Sequence, residues 1–174
     1  GLAAGVAQLC IAPVASGHLV TTGLGPVYDG IGHLLLTPED LVPATAIALY
    51  AGLRGTVAGR RAMFLMPLAW FAGGLLGSAV DIQPAFPITA FSFLVLGGLV
   101  AADLWLPCPA VAGLAILFGL LHGFLNGGEL QEGAELLGLL GITAMLFVMV
   151  ALVSALVVSL KRPWTRISVR VAGS

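Results

Sequence analysis

Long apolar runs that each carry almost no ionisable residue dominate this chain, and no other feature narrows its fold as much. Residues 88–106, 109–126 and 133–160 each contain a single ionisable side chain, Asp103, His122 and Glu135 respectively. An apolar run of roughly 17 to 25 residues, wound as a helix, crosses a hydrocarbon core of roughly 30 Å. Helices are favoured because lipid offers the backbone no hydrogen-bond partner. With 59% hydrophobic and 9% charged residues, the chain has too little polar surface to cover a water-soluble globule of 174 residues. The expectation is an all-α fold, a polytopic membrane helix bundle of about five transmembrane helices after an N-terminal signal segment.

The joints between runs set the boundaries. Residues 1–17 are rich in Ala and Gly and end Ala15-Ser16-Gly17, small residues of the kind a signal peptidase cuts after, which would leave His18 as a new N-terminus. An uncleaved extra helix is the alternative. Residues 18–174 then form a single transmembrane domain. From His18 to Leu36, glycines and Pro26 interrupt periodicity, suggesting a re-entrant or interfacial segment. Thr37-Pro38-Glu39-Asp40 reads as a helix start, with Thr37 as N-cap, Pro38 at the first helical position and acids in the first turn. Spans are expected near 38–53, 62–80, 88–106, 109–126 and 133–160. The first, at ~1.5 Å per residue, reaches only about 24 Å and needs protein or its lead-in segment to complete a crossing. Gly73 with Gly77, and Gly119 with Gly123, place small residues four apart on one face of spans two and four, as close helix packing requires.

Charge gives an orientation. Lys and Arg accumulate on the cytoplasmic side of a membrane protein. Arg54, Arg60 and Arg61 lie between spans one and two, and Lys161, Arg162, Arg166 and Arg170 follow span five, which places both regions in the cytoplasm. Asp29, Glu39, Asp40, Asp81, Glu129, Glu132 and Glu135 fall on the opposite side, and only Asp103 breaks the segregation. The expected location is the bacterial inner membrane, with the N-terminal region outside and the C-terminus cytoplasmic.

Two sparse polar clusters carry the candidate chemistry. Asp29 and His33 stand four apart, so one helical turn would present a carboxylate and an imidazole on the same face. His122, Asn126 and Glu129 share a face if the helix continues through Gly127-Gly128. An ionisable group inside a span is costly, so His122 requires a partner or a role. The topology puts both clusters at one membrane face, where His18, Asp29, His33, His122 and Glu129 could take a divalent transition metal. Imidazole and carboxylate together suit Ni2+, Co2+, Zn2+ or Cu2+. The competing account of these residues is structural: Asp29 capping a turn, His33 at the headgroup boundary and His122 bonded to a carbonyl. Glu39 and Asp40 read as helix-start acids rather than ligands. Asp103 either relays a cation or pairs with an arginine, and Trp70, Trp105 and Trp164 read as interfacial or packing aromatics.

Other classes are disfavoured. A net charge of −1 leaves no basic surface for nucleic acid. Cys10 and Cys108 form neither a metal motif nor a disulfide framework. The chain has no Gly-x-Ser-x-Gly elbow, phosphate-binding glycine loop or His-Glu-x-x-His helix, so no enzymatic activity is expected.

The run from His18 through Tyr28-Asp29-Gly30-Ile31-Gly32-His33, continued by Thr37-Pro38-Glu39-Asp40-Leu41-Val42-Pro43, resembles the opening of the HupE/UreJ family in its second subgroup. Phe118-Gly119-Leu120-Leu121-His122-Gly123, ending at Asn126-Gly127-Gly128-Glu129, is similar to that family's second signature. The resemblance implies a nickel, or cobalt, permease or accessory protein that supplies metal for hydrogenase or urease maturation, with Asp29, His33, His122 and Glu129 as ligands. Two departures stand out: the better-known members place Asp and His side by side, whereas here three residues separate them, and Asn126 stands where a second His would strengthen the site. The partners implied are the lipid bilayer, a metal ion, and other membrane subunits or a homo-oligomer. The rival expectation is a non-transporting membrane subunit or scaffold of a larger metal-dependent complex.

Overall fold

The computed structural model describes residues 22–80, 88–129, 135–160, 167–168 and 171. Among them the regular structure is entirely helical: α1 Pro26–Leu36, α2 Pro38–Leu53, α3 Thr56–Ser78, α4 Ile88–Ala102, α5 Cys108–Glu129 and α6 Glu135–Ser159. The expected signal segment, residues 1–17, and His18 lie outside the described residues.

The helix boundaries follow from local chemistry. Gly25 adopts φ 104, and Pro26 then opens α1. Proline disfavours helical geometry in the residue before it, and Thr37 accordingly leaves the helix at φ −101, ψ 97. Pro38 starts α2 at once, so the two helices form a pair bent by 75°. Thr37 occupies the N-cap position as its sequence suggests, but its hydroxyl makes no capping bond. A two-residue turn, Arg54 then Gly55 at φ 104, reverses the chain into α3.

The segment with five interrupting residues before Leu36 is thus helical over Pro26–Leu36, and Gly30 has a packing reason to be there. A Cβ on Gly30 would lie 2.0 Å from the Gly138 carbonyl oxygen of α6. The α3–α5 contact uses the same device on both partners. A Cβ at Gly73 would meet Leu120 O at 2.3 Å and one at Gly77 would meet Phe124 O at 2.0 Å; reciprocally, Gly123 faces Trp70 O at 2.1 Å and Gly127 faces Gly74 O at 2.0 Å. Contact positions rise together along both helices, so α3 and α5 are parallel. By contrast, Gly59 meets Ser154 while Gly74 meets Leu139, so α3 and α6 are antiparallel. From α2 to α6, successive helices alternate in direction.

Trp70, Tyr50, Phe118, Leu34, Ile47, Met66, Leu139 and Ile142 fill the interior. The outside is apolar too: Leu68, Leu94, Leu152 and Leu156 are 62% to 77% exposed. A surface of this kind suits lipid rather than water. Helices α5 over Cys108–Gly128 and α6 over Leu136–Ser159 are each long and apolar enough to cross a membrane, and the bent α1–α2 pair passes the same test when taken together. Helix α4 is apolar but shorter, and α3 carries Arg60 and Arg61 in its first turns.

Candidate functional site

Five polar side chains meet inside this apolar bundle: His33, Asp40, Ser92, His122 and Asn126, each between 0% and 4% exposed. They come from α1, α2, α4 and α5. The break at Thr37-Pro38 brings the first two together, because the last turn of α1 and the first turn of α2 face a common centre across the bend. Glu39 remains exposed, whereas Asp40 turns inward.

Asp40 is the hub. Its Oδ1 lies 2.9 Å from His122 Nδ1, and its Oδ2 accepts from Asn126 Nδ2 at 2.8 Å. His33 Nε2 stands 3.7 Å from the same Oδ2. An ionised carboxylate only accepts, so His122 Nδ1 carries the proton of that bond. The other ring nitrogen, Nε2, is 2.9 Å from Ser92 Oγ, which is also 2.8 Å from the Ile88 carbonyl. A serine has one proton to give. Neutral His122 therefore needs the hydroxyl turned to its ring, while a doubly protonated ring lets Ser92 donate to Ile88 O instead.

Asn126 is oriented by its neighbours. Its Nδ2 donates both to Asp40 and to the His122 carbonyl at 3.1 Å, and its Oδ1 is buried with no hydrogen-bond partner. Trp70 lies over the His122 ring, centroids 5.5 Å apart with 27° between the planes, and its Nε1 is likewise unpartnered. Trp70 is fully buried, so it packs the site instead of marking the membrane boundary. A buried polar group without a partner costs about 1–3 kcal/mol, a penalty the site carries at both atoms.

The residues singled out from sequence are distributed unevenly about this centre. His33 and His122 both approach Asp40. Asp29 is partly exposed in the first turn of α1, where its Oδ1 accepts from the Thr22 backbone N–H and hydroxyl, each at 2.6 Å. Helix α5 does continue through Gly127-Gly128 to Glu129, whose side chain lies outside the described residues. Asp40, read from sequence as a helix-start acid, is the missed residue; it sits in the first turn as expected but is buried as the hub of the network. Ser92 is a second such residue, and its sequence signal is a hydroxyl inside the apolar stretch of α4. Among the described residues, no three His, Cys, Asp or Glu side chains surround a common point as a metal shell would.

A second polar contact marks the opposite end of the bundle. Arg54, after α2, pairs with Asp103, after α4, and lies over the Tyr50 ring at 5.3 Å. Of the two roles considered for Asp103, pairing with an arginine is the one seen.

A helix bundle with an apolar exterior and helices long and apolar enough to cross a bilayer is the fold of a membrane protein. The HupE / UreJ protein family matches residues 6–174, essentially the whole chain, and the chain belongs to that family. Neither the curated proteins nor the solved structures provide a match. Membership implies a nickel or cobalt permease, or an accessory role for urease or hydrogenase.

Proposed function

We propose that this chain moves a divalent transition metal, Ni2+ before Co2+, Cu2+ or Zn2+, through a bundle of about five membrane-crossing helices for metalloenzyme maturation. The observation that carries the reading is the Asp40 carboxylate, buried in an apolar interior between two imidazoles contributed by other helices. A buried polar cluster that served packing alone could be replaced as a whole by hydrophobic residues with little loss.

In this reading Asp40, with His122 on one carboxylate oxygen and His33 near the other, is the inner site, whose side chains must close around an ion because they do not surround a common point without it, and Asp29, Glu129 and His18 are the outer groups that capture the ion. Imidazole, carboxylate and amide oxygen form a borderline donor set suited to nickel. A cation entering between Asp40 and His122 takes the carboxylate as a ligand, and it takes Nδ1 of the neutral tautomer that carries its proton on Nε2, where that N–H donates to Ser92 Oγ and Ser92 donates to the Ile88 carbonyl. Asn126 supplies a neutral third donor when its amide turns over, exchanging the Nδ2 bond to Asp40 for its unpartnered Oδ1 on the ion. The arginines at the other end support an orientation with this site facing outward. The sequence holds no nucleotide-binding motif, so passage is passive or ion-coupled within this chain.

The test is Ni2+ uptake by proteoliposomes. His33→Ala and His122→Ala should each lower the rate at least tenfold while the variants insert and migrate as wild type. Wild-type rates in both would dismiss the metal pathway. A stoichiometric complex with no flux would favour the scaffold reading.

A further inference from the structure

The α3–α5 seam that is tight near the polar site opens at the other end. A Cβ placed along it would meet backbone at 2.0–2.3 Å at Gly127, Gly77, Gly123 and Gly73, and at 2.7 Å at Gly119, but at Gly113 it would meet nothing within 4 Å. The helices diverge toward their N-termini and leave a groove of about 650 Å³. Its walls are apolar, with Phe64 and Leu65 on α3 facing Gly113 and Ile116 on α5, and Arg60 and Arg61 border it on α3. Arg60 also borders a second groove, of about 300 Å³, between α3 and α6.

Arg60 and Arg61 are exposed, and the ion pairs seen among the described residues, His33–Asp40, His122–Asp40 and Arg54–Asp103, involve neither. Asp103, the described acid at this end, is engaged by Arg54. Two unneutralised cations at the mouth of an apolar trough, on a bundle with a lipid-type surface, match one chemistry: a phosphate with a hydrocarbon tail. Helices α3 and α5 also run parallel, so both positive helix ends lie toward the same mouth.

We propose that this groove is a binding site for an anionic glycerophospholipid, its phosphodiester held by Arg60 and Arg61 and an acyl chain lying between Phe64 and Ile116. Guanidinium suits the task because it presents several donors to phosphate oxygens at once. Basic pockets between membrane helices are known to select such headgroups. Arg60 can serve a lipid with one tail in each groove. The proposal is independent of the metal pathway, since it involves none of the same residues.

The test is native mass spectrometry of the detergent-purified protein, titrated with phosphatidylglycerol, with phosphatidylcholine of the same chains, and with inorganic phosphate. Phosphatidylglycerol should be retained at least tenfold more strongly than phosphatidylcholine. The double variant Arg60→Gln, Arg61→Gln should erase that preference, and Arg60→Lys, Arg61→Lys should keep part of it. Gly113→Leu, which changes no charge and meets no neighbour at its Cβ, should fill the groove and weaken phosphatidylglycerol at least fivefold. Equal retention of the two lipids by the wild type would overturn the proposal. So would unchanged phosphatidylglycerol binding in Gly113→Leu, or displacement of the lipid by inorganic phosphate at comparable concentration, which would indicate a free-anion site.

Discussion

His122 Nδ1 stands 2.9 Å from Asp40 Oδ1, a contact between residues 82 positions apart that ties the start of α2 to the final turns of α5. It gives one acidic side chain two duties. Asp40 satisfies the donors of His122 and Asn126, and it supplies a carboxylate to a polar cluster enclosed by apolar side chains.

These duties separate in Asp40→Asn. The amide keeps the shape but has one acceptor where the carboxylate has two. If its oxygen faces His122, its NH2 opposes the Asn126 NH2; if Asn126 turns over to accept, its own NH2 moves to the buried position where its oxygen has no partner. Either arrangement leaves one buried group unsatisfied, at about 1–3 kcal/mol. Asp40→Asn should therefore fold with a modestly lowered unfolding midpoint in detergent, yet lose Ni2+ uptake by tenfold or more. Wild-type uptake in that variant would make the carboxylate a purely structural group.

The sequence made the helical class and the metal-type side chains legible, because apolar run length and the rarity of ionisable residues are local properties. His33 and His122 were visible for that reason, as isolated imidazoles in apolar surroundings. Asp40 was not, since a first-turn acid at a proline-opened helix has a sufficient local explanation, and only the 75° bend reveals that it faces inward beside His33 while Glu39 does not. The spacing of Asp29 and His33 pointed to a shared helical face. The helix is present, but Asp29 is occupied by Thr22, a partner that spacing could not indicate. The small-residue pairs on α3 and α5 did mark a close contact, though its parallel direction depends on where α4 returns the chain.

That contact predicts a graded response to added methyl groups. A Cβ at Gly123 would lie 2.1 Å from Trp70 O, a backbone atom that no rotamer change can move. Gly123→Ala should force the helices apart beneath Trp70 and destabilise by about 1–3 kcal/mol, the usual cost of overpacking. Gly98→Ala meets nothing within 4 Å and should be neutral, or stabilise by about 0.5–1 kcal/mol through helix propensity. Thermal unfolding in one detergent, with both variants side by side, measures the difference. Equal midpoints would mean that α3 and α5 are not held at backbone contact. Because Trp70 stacks on His122, Gly123→Ala should also lower uptake, whereas Gly98→Ala should not.

The Arg54–Asp103 pair makes a prediction of its own at the far end. Arg54 is 8% exposed and Asp103 28% by side chain, so the pair is neither fully dry nor open to solvent. Asp103 adopts φ 48, a left-handed conformation that Asp and Asn tolerate better than most residues. Asp103→Asn therefore removes the charge without disturbing the turn, and should cost about 1–3 kcal/mol, less than breaking a fully buried pair. Arg54→Gln should cost somewhat more, because it also removes the cation stacked on Tyr50. The double variant should lose less than the sum of the two, since each single change already forfeits their shared interaction. Additive losses would show that the two side chains contribute separately. A loss unaffected by raising the salt would confirm that the pair lies inside the dielectric boundary, where counter-ions screen weakly.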